Sequence, residues 1–154
     1  MLFRMPITIE DASIKNLDRL YEIETECFKQ EAFGKQQIAH LLTDYDAISL
    51  VAKSDGEIAG FIIGIIYGQG NAFVAHILTI DVSPAYRRKG IGLQLLQEIE
   101  KLFMEKGVRA CHLEVREHNL AALRLYEKSG YRQVSKLKNY YGNANGIHLR
   151  KILA

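Results

Sequence analysis

The stretch from His76 to Phe103 constrains the fold of this chain more than any other part of the sequence. It begins with an apolar segment, residues 77–82, whose β-branched side chains are typical of a buried strand. A Ser-Pro turn, three consecutive cations and Gly90-Ile91-Gly92 follow, and a helical pattern of apolar residues then starts. The first amides of a helix lack intrahelical partners and carry partial positive charge, and glycine lets an anion approach the backbone closely. The sequence therefore predicts a site for a pyrophosphate-bearing ligand at the start of this helix.

Two common phosphate-binding motifs do not fit this loop. A P-loop requires a GK[ST] ending, and no such ending follows Gly92. The dinucleotide-binding fingerprint requires a third glycine at the position of Leu95. Since a Gly-x-Gly pair is also typical of an ordinary turn into a helix, the loop alone does not identify the ligand.

A second signature lies between Glu114 and Tyr131, with the sequence EVREHNLAALRLYEKSGY. Together with Arg87-x-x-Gly90-x-Gly92, it resembles the motifs of the GNAT superfamily of N-acetyltransferases. The pattern is most similar to the branch that acetylates protein amino termini, which includes ribosomal-protein-alanine acetyltransferases and the archaeal and eukaryotic amino-terminal acetyltransferase catalytic subunits. The motifs cover roughly His76 to Tyr131, and a weaker resemblance extends over nearly the whole chain.

The resemblance implies a particular fold and a particular cosubstrate. The expected class is α/β, with a central mixed sheet that is mostly antiparallel, one splayed pair of parallel strands, and helices on both faces. A single N-acetyltransferase domain is expected over residues 1–154. Acetyl-CoA is the implied acetyl donor, the transfer is direct within a ternary complex, and no metal is expected.

Periodicity and turn residues predict the elements of such a fold without the resemblance. Asp55-Gly56 is typical of a two-residue hairpin. The helix over residues 91–106 joins the strands over residues 73–82 and 110–115, and a helical crossover of this kind makes the two strands parallel. The predicted strands cover residues 7–10, 47–54, 57–67, 73–82, 110–115, 131–140 and 146–151, and the predicted helices cover residues 14–27, 35–43, 91–106 and 120–128.

Composition and charge exclude several other classes of protein. The net charge of +2 is too small to indicate a nucleic-acid partner. The apolar run over residues 58–67 is too short to cross a bilayer, and no signal-peptide pattern occurs, so we expect a cytoplasmic protein with no membrane partner. Cys27 and Cys111 lie far apart in apolar elements and predict buried, reduced thiols, with Cys111 in the core. A monomer or a weak dimer is expected.

The resemblance also implies which residues contact acetyl-CoA. The pantetheine arm would bond the backbone of Ile80, Asp81 and Val82. Asn119, Ala122 and Tyr126 share one helix face, and Asn119 would bond the pantetheine, cap its helix, or both. The pyrophosphate would lie on the loop formed by Arg87, Arg88, Lys89, Gly90, Ile91 and Gly92.

Glu114 and His76 are the candidate general bases. Alternation along the strand places Glu114 at its end on the face of His112, where a carboxylate would accept a proton from the substrate amine. A surface ion pair with Arg116 or with a helix lysine is the alternative for Glu114. The resemblance implies a second base at His76, and a structural histidine is the alternative there.

Tyr126 is the candidate general acid. Its phenol would protonate the departing CoA thiolate, whose conjugate thiol has a pKa of about 8.5. A core tyrosine that packs against the sheet is the alternative, and the two roles are compatible. His112 and His118 are interpreted as surface residues.

Two segments, residues 28–34 and residues 140–146, would select the substrate. The assigned residues are Glu31, Phe33, Tyr140 and Tyr141. Gln30-Glu31 replaces the Pro-Glu pair that is frequent in the family, and acidic residues that often follow the paired tyrosines are missing. These departures leave the peptide preference open. Both segments are also typical of ordinary exposed loops.

Three functions are compatible with the sequence. The first is acetylation of the amino-terminal segments of proteins, with ribosomal proteins among the candidate partners. The second is acetylation of lysine side chains or of a small amine. The third is a non-catalytic module that binds CoA or a nucleotide, which would need the glycine loop but not Glu114 and Tyr126 together.

Overall fold

The computed structural model describes residues 6–153, and residues 1–5 and 154 of the predicted single domain lie outside the described residues. The strands are β1 (Ile7–Asp11), β2 (Ala47–Ser54), β3 (Glu57–Tyr67), β4 (Val74–Val82), β5 (Ala110–Arg116), β6 (Arg132–Leu137) and β7 (Gly146–Ile152). The α-helices are α1 (Leu17–Phe28), α2 (Lys35–Thr43), α3 (Ile91–Glu105) and α4 (Leu120–Lys128). None of the described helices is long and apolar enough to span a membrane.

The strands form one seven-stranded sheet in the order β1-β2-β3-β4-β5-β7-β6. β1 pairs with β2, β2 with β3, β5 with β7, and β6 with β7, all antiparallel. β4 and β5 pair in parallel, with Val74–His76 beside Ala110–His112. This ladder ends at His76 and His112 although both strands continue, as a splayed pair requires. The predicted mixed, mostly antiparallel sheet is therefore confirmed.

Local turn chemistry explains why many boundaries were predictable. Asp55 and Gly56 have φ values of 52° and 80°, which a tight hairpin turn requires, and β2 and β3 have the predicted bounds. The first helix was predicted too early. A 3₁₀ turn over Ile14–Asn16 precedes it, because the Ser13 side chain accepts a hydrogen bond from Lys15 and its amide donates to Asn16.

The described chain groups into two compact units, while the single domain over residues 1–154 remains a prediction. The first unit contains the described residues up to Ile65 together with Leu78–Ile99. Its core is an apolar cluster of residues that are fully buried. The members are Leu20, Ile23, Ile38, Val51, Phe61 and Ile63.

The second unit contains Ile66–Ile77 and the described residues from Glu100 onward. A buried polar network stabilises its core, because the Tyr131 hydroxyl donates to Glu100 Oε2 at 2.8 Å and Lys151 Nζ contacts Glu100 Oε1 at 2.7 Å. Cys111 is fully buried, as predicted, whereas Cys27 in the first unit is only partly buried. Burial raises the pKa of the Cys111 thiol to about 12.

The final hairpin is shorter than predicted. Its first strand covers Arg132–Leu137 rather than residues 131–140. A turn follows, in which the Tyr141 amide donates to the Ala144 carbonyl and Gly142 has a φ of 82°. The aromatic residues that suggested a longer strand therefore lie in the connection between β6 and β7.

Candidate active site

The loop between β4 and α3 has the backbone conformation of an anion-binding turn. Arg88 and Gly90 have left-handed φ values of 64° and 78°. Residues in this conformation let successive amides point to the same side of a turn. The Gln94 amide donates to the Gly90 carbonyl at 3.1 Å, so the amides of residues 91–93 lie before the first bond of the helix. A Cβ built on Gly90 would meet no atom within 4 Å, so the approach to this backbone is open.

The cations of this loop differ in their contacts, which the sequence did not predict. Arg87 Nε donates to the Val82 carbonyl at 3.2 Å, and Arg87 Nη2 lies 3.5 Å from Cys27 Sγ. The Arg87 guanidinium therefore fastens the loop to the end of β4. Arg88 and Lys89 are exposed, and their charges remain at the mouth of the loop.

Gly90→Val is expected to weaken the binding of CoA at least tenfold, or roughly 1.4 kcal/mol. A β-branched residue is strained at a φ of 78°, and its side chain would occupy the open approach to the helix amides. Calorimetry with CoA measures the effect. Gly56→Val is the matched control, because Gly56 has a φ of 80° and equally open surroundings in the β2–β3 turn. Unchanged affinity in a folded Gly90→Val protein would show that this loop is not the pyrophosphate site.

A buried pair of acidic residues lies under the end of β4. Alternation directs Ile80 and Val82 to the half-buried face of the strand and Thr79 and Asp81 to the buried face. Thr79 Oγ1 lies 2.7 Å from Glu24 Oε1 and 2.6 Å from Asp81 Oδ1, and both carboxyls are 1% exposed. Because the Asp81 side chain is buried, it is not available to a cofactor, and a contact through its backbone remains a prediction.

Burial raises the pKa of Asp81 well above its ordinary value, and the neighbouring Glu24 carboxylate raises it further. Asp81 therefore keeps its proton to a higher pH than an exposed aspartate does. Asp81 Oδ2 is buried and has no hydrogen-bond partner within the described residues. An unsatisfied oxygen of this kind reduces stability.

Asp81→Asn is expected to make the folded protein more stable above neutral pH. Because the pKa of Asp81 is higher in the folded protein than in the unfolded chain, its proton stabilises the wild-type fold. This stabilisation is fully present below the ordinary pKa of an aspartate and is lost as pH rises towards the pKa of the folded state. The free energy of unfolding falls by about 1.4 kcal/mol for each pH unit in which only the folded state keeps the proton. Urea unfolding at pH 5 and pH 8 measures it. The variant should show a flatter pH dependence, and an exposed control, Asp46→Asn, should follow the wild type. Parallel curves for wild type and Asp81→Asn would contradict this.

His76 and Glu114 form a hydrogen-bonded pair within the second unit. His76 Nε2 lies 2.7 Å from Glu114 Oε1, and the two side chains are 28% and 17% exposed. The Tyr140 hydroxyl donates to the same carboxylate oxygen at 3.4 Å. The structure thus brings together both candidate bases and one predicted substrate residue. We refer to His76 and Glu114 as the dyad.

The dyad keeps Glu114 ionised. Partial burial raises the pKa of this carboxyl, but the hydrogen bond and the charge of His76 outweigh burial, and His148 and Tyr140 add to them, so the net shift is downward. A carboxylate with a lowered pKa is a weak proton acceptor by itself. It is well suited to stabilise a proton on the adjacent imidazole.

Helix α4 positions Asn119, Ala122 and Tyr126 as the spacing predicted. The Asn119 side chain accepts a hydrogen bond from the Ala122 amide at 3.2 Å, which confirms its role as a helix cap. Tyr126 is 5% exposed, and its ring packs edge-on against Tyr131 at 5.8 Å between centroids. A core position for Tyr126 is therefore confirmed, and its acid role and the cofactor contacts of this helix remain predictions.

The paired tyrosines precede β7. Their rings pack edge-on at 4.9 Å, and the Arg116 guanidinium lies 5.0 Å from the Tyr141 ring. Tyr140 is 52% exposed, so it combines a hydrogen bond to Glu114 with a surface available to substrate. Partial burial raises the pKa of Tyr141 to about 12, so its hydroxyl stays protonated.

The other assigned substrate residues lie in the first unit. Glu31 ends a short 3₁₀ segment, Lys29–Glu31, and is exposed. Phe33 packs against the apolar core, and its amide donates to Glu24 Oε2 at 3.0 Å. Glu24 therefore fixes the segment between α1 and α2, a role that the sequence did not reveal.

The interpretation of His112 as a surface residue was wrong. His112 Nδ1 lies 2.8 Å from His148 Nε2, and the two half-buried rings pack at 5.1 Å between centroids. The side chain of His118 is 86% exposed, as predicted. Within residues 6–153, no group of three or more His, Cys, Asp and Glu side chains is arranged to hold a metal ion.

Known proteins resemble the chain over most of its length. The sequence profile of the acetyltransferase (GNAT) family matches residues 17–131. An N-alpha-acetyltransferase from Sulfurisphaera tokodaii is 31% identical over 92% of this chain and 89% of its own. A spermidine N(1)-acetyltransferase from Thermoplasma acidophilum is 28% identical over 83% of this chain and 89% of its own. The crystal structure of the ribosomal-protein-S18-alanine N-acetyltransferase from Escherichia coli is 25% identical, covers 97% of this chain and 95% of that chain, and has a TM-score of 0.84.

The chain belongs to the acetyltransferase (GNAT) family. It is an acyltransferase, and acetyl-CoA is its cosubstrate. The loop between β4 and α3 fits this cosubstrate, because its left-handed residues, its free helix amides and two exposed cations suit a pyrophosphate.

Proposed function

We propose that the protein acetylates the amino-terminal α-amine of protein substrates. The observation that carries the proposal is the dyad, whose carboxylate also accepts a hydrogen bond from Tyr140. A base that is bonded to a predicted substrate residue suits an amine presented at the end of a peptide. The similarity to a protein named N-alpha-acetyltransferase supports the same substrate class.

The proposed chemistry assigns one task to each side chain. Acetyl-CoA supplies an acetyl thioester. His76 accepts a proton from the substrate ammonium, directly or through water, and Glu114 stabilises the imidazolium that forms. The amine nitrogen then forms the C–N bond as the C–S bond breaks. Tyr126 returns a proton to the departing sulfur and regains one from solvent.

The ordinary pKa values of amines favour an α-amine as the acetyl acceptor. An α-amine has a pKa of about 8 and a lysine amine of about 10.4, so near neutral pH roughly a tenth of the former and far less of the latter is uncharged. One base can therefore complete the deprotonation of an α-amine with a small free-energy cost. Small amines are a second candidate class, favoured by the similarity to a protein named spermidine N(1)-acetyltransferase.

Three matched acceptors test the proposal in one mass-spectrometric assay with acetyl-CoA. The first is a peptide with a free amino terminus and dimethylated lysines. The second has the same sequence with a blocked terminus and free lysines, and the third is spermidine. We expect acetylation of the first at a kcat/KM at least tenfold above that of the others. Preferred transfer to either of the others would contradict the proposal.

The proposed partners are the amino-terminal segments of proteins, and ribosomal proteins are one class to include. The name of the E. coli enzyme described above gives a ribosomal protein as its substrate. A library of peptides that begin with the termini of ribosomal and other abundant proteins would rank them by initial rate. Equal rates for all termini would argue against Glu31, Phe33, Tyr140 and Tyr141 as selective residues.

A further inference from the structure

A second pair of polar side chains lies beside the dyad, formed by His112 and His148, and we refer to it as the histidine pair. The strand registers bring the two pairs together. Glu114 on β5 lies opposite His148 on β7, and His76 on β4 lies beside His112 on β5. All four side chains therefore lie on one face of three adjacent strands in the second unit.

A hydrogen bond between two imidazoles limits their protonation. The contact from His112 Nδ1 to His148 Nε2 is 2.8 Å, which requires one nitrogen to donate and the other to accept. The pair keeps this bond when it holds one extra proton and loses it when it holds two. The pair can therefore take up one extra proton without losing the bond, but not two.

The surroundings indicate where that proton lies. Burial lowers the pKa of His112, and the charges of His148, Arg150 and His76 lower it further, while Glu114 acts in the opposite direction. His112 is thus the acceptor in this bond, and His148, which lies opposite Glu114, is the donor. The charged and titratable groups that face the pair are His76 from β4, Glu114 from β5, Arg150 from β7 and, opposite Arg150, Arg132 from β6.

We propose that the histidine pair holds one proton on His148 and thereby keeps the dyad in its proton-accepting form as pH falls. A positive charge beside Glu114 favours the carboxylate and opposes the addition of a second positive charge to His76. His148 is a positioning residue in this role, because it acts through the dyad and not on the substrate. The expected effect on catalysis rests on the proposed function. The coupling of charges between the histidine pair and the dyad does not depend on it.

The kinetic test uses His148→Gln, whose amide can still donate a hydrogen bond to His112 but carries no charge. We expect the acidic limb of the kcat/KM profile to move to higher pH by about half a unit, the size of one charge at close range in a partly exposed site. His148→Lys keeps a cation and should leave the limb at or below its wild-type position. His40→Gln is the control, because the His40 side chain is 79% exposed on α2. An unmoved limb in His148→Gln, or equal shifts in the Gln and Lys variants, would overturn the proposal.

A second measurement does not depend on activity. The chain has five histidines, so NMR signals of their rings can be assigned by single substitutions. The pKa of His112 should rise in His76→Gln, because the charge that His76 carries when protonated lowers it. It should fall in Glu114→Gln, which removes the neighbouring anion. An unchanged His112 titration in both variants would overturn the coupling. If the coupling is present and no acceptor is acetylated, the proposed function fails and the charge coupling stands.

Discussion

Glu114→Gln is expected to lower kcat/KM by about a hundredfold or more near neutral pH. Glutamine keeps the shape of the side chain and can still accept a hydrogen bond from His76, but it cannot stabilise a proton on the imidazole. The loss should shrink at high pH, where the substrate amine is already neutral. The pH–rate profiles of wild type and variant, measured with one amino-terminal peptide, provide the comparison. A loss of equal size at every pH would show that Glu114 orients the substrate instead of supporting proton transfer.

The bond between His76 and Glu114 adds a prediction about combinations. Two groups that act as one unit have non-additive effects, so the double variant His76→Ala, Glu114→Gln should lose little more than the worse single variant. His76→Ala should remove the acidic limb of the profile, since the imidazole is the group that receives the proton. If the two losses of kcat/KM multiply in the double variant, the residues act independently, and the hydrogen bond between them does not contribute to catalysis.

The sequence predicted those parts of the structure that depend on neighbouring residues. The hairpin at Asp55-Gly56, the bounds of α2 and the cap at Asn119 all follow from turn and cap chemistry within a few positions. The spacing of glycines and cations placed the loop before α3 in the same way. The predicted boundary of α1 was wrong because another local structure, the 3₁₀ turn over Ile14–Asn16, forms in place of the first helical turn.

The contacts that the sequence could not predict join distant positions. Glu24 and Thr79 are 55 residues apart, and His112 and His148 are 36 apart. No periodicity within one strand indicates which residue of another strand lies opposite, because the register is set by the whole sheet. The left-handed Arg88 was also missed, since non-glycine residues rarely adopt that conformation. The sequence placed the two candidate bases on neighbouring strands, and only the fold shows that they are hydrogen-bonded to each other.

Tyr126→Phe is expected to lower kcat by about a hundredfold with little change in the affinity for acetyl-CoA. Phenylalanine keeps the ring that packs edge-on against Tyr131, so the core is preserved while the hydroxyl is lost. The matched control is Tyr131→Phe, which removes a hydroxyl from the other ring of the same pair. The Tyr131 hydroxyl donates to the buried Glu100 carboxylate, so its loss should cost about 1–3 kcal/mol of stability and leave kcat unchanged. Rapid-quench turnover and urea unfolding of both variants separate the two roles. Wild-type turnover in Tyr126→Phe would make Tyr126 a structural residue, and the proton for the departing thiolate would then have to come from solvent or another group.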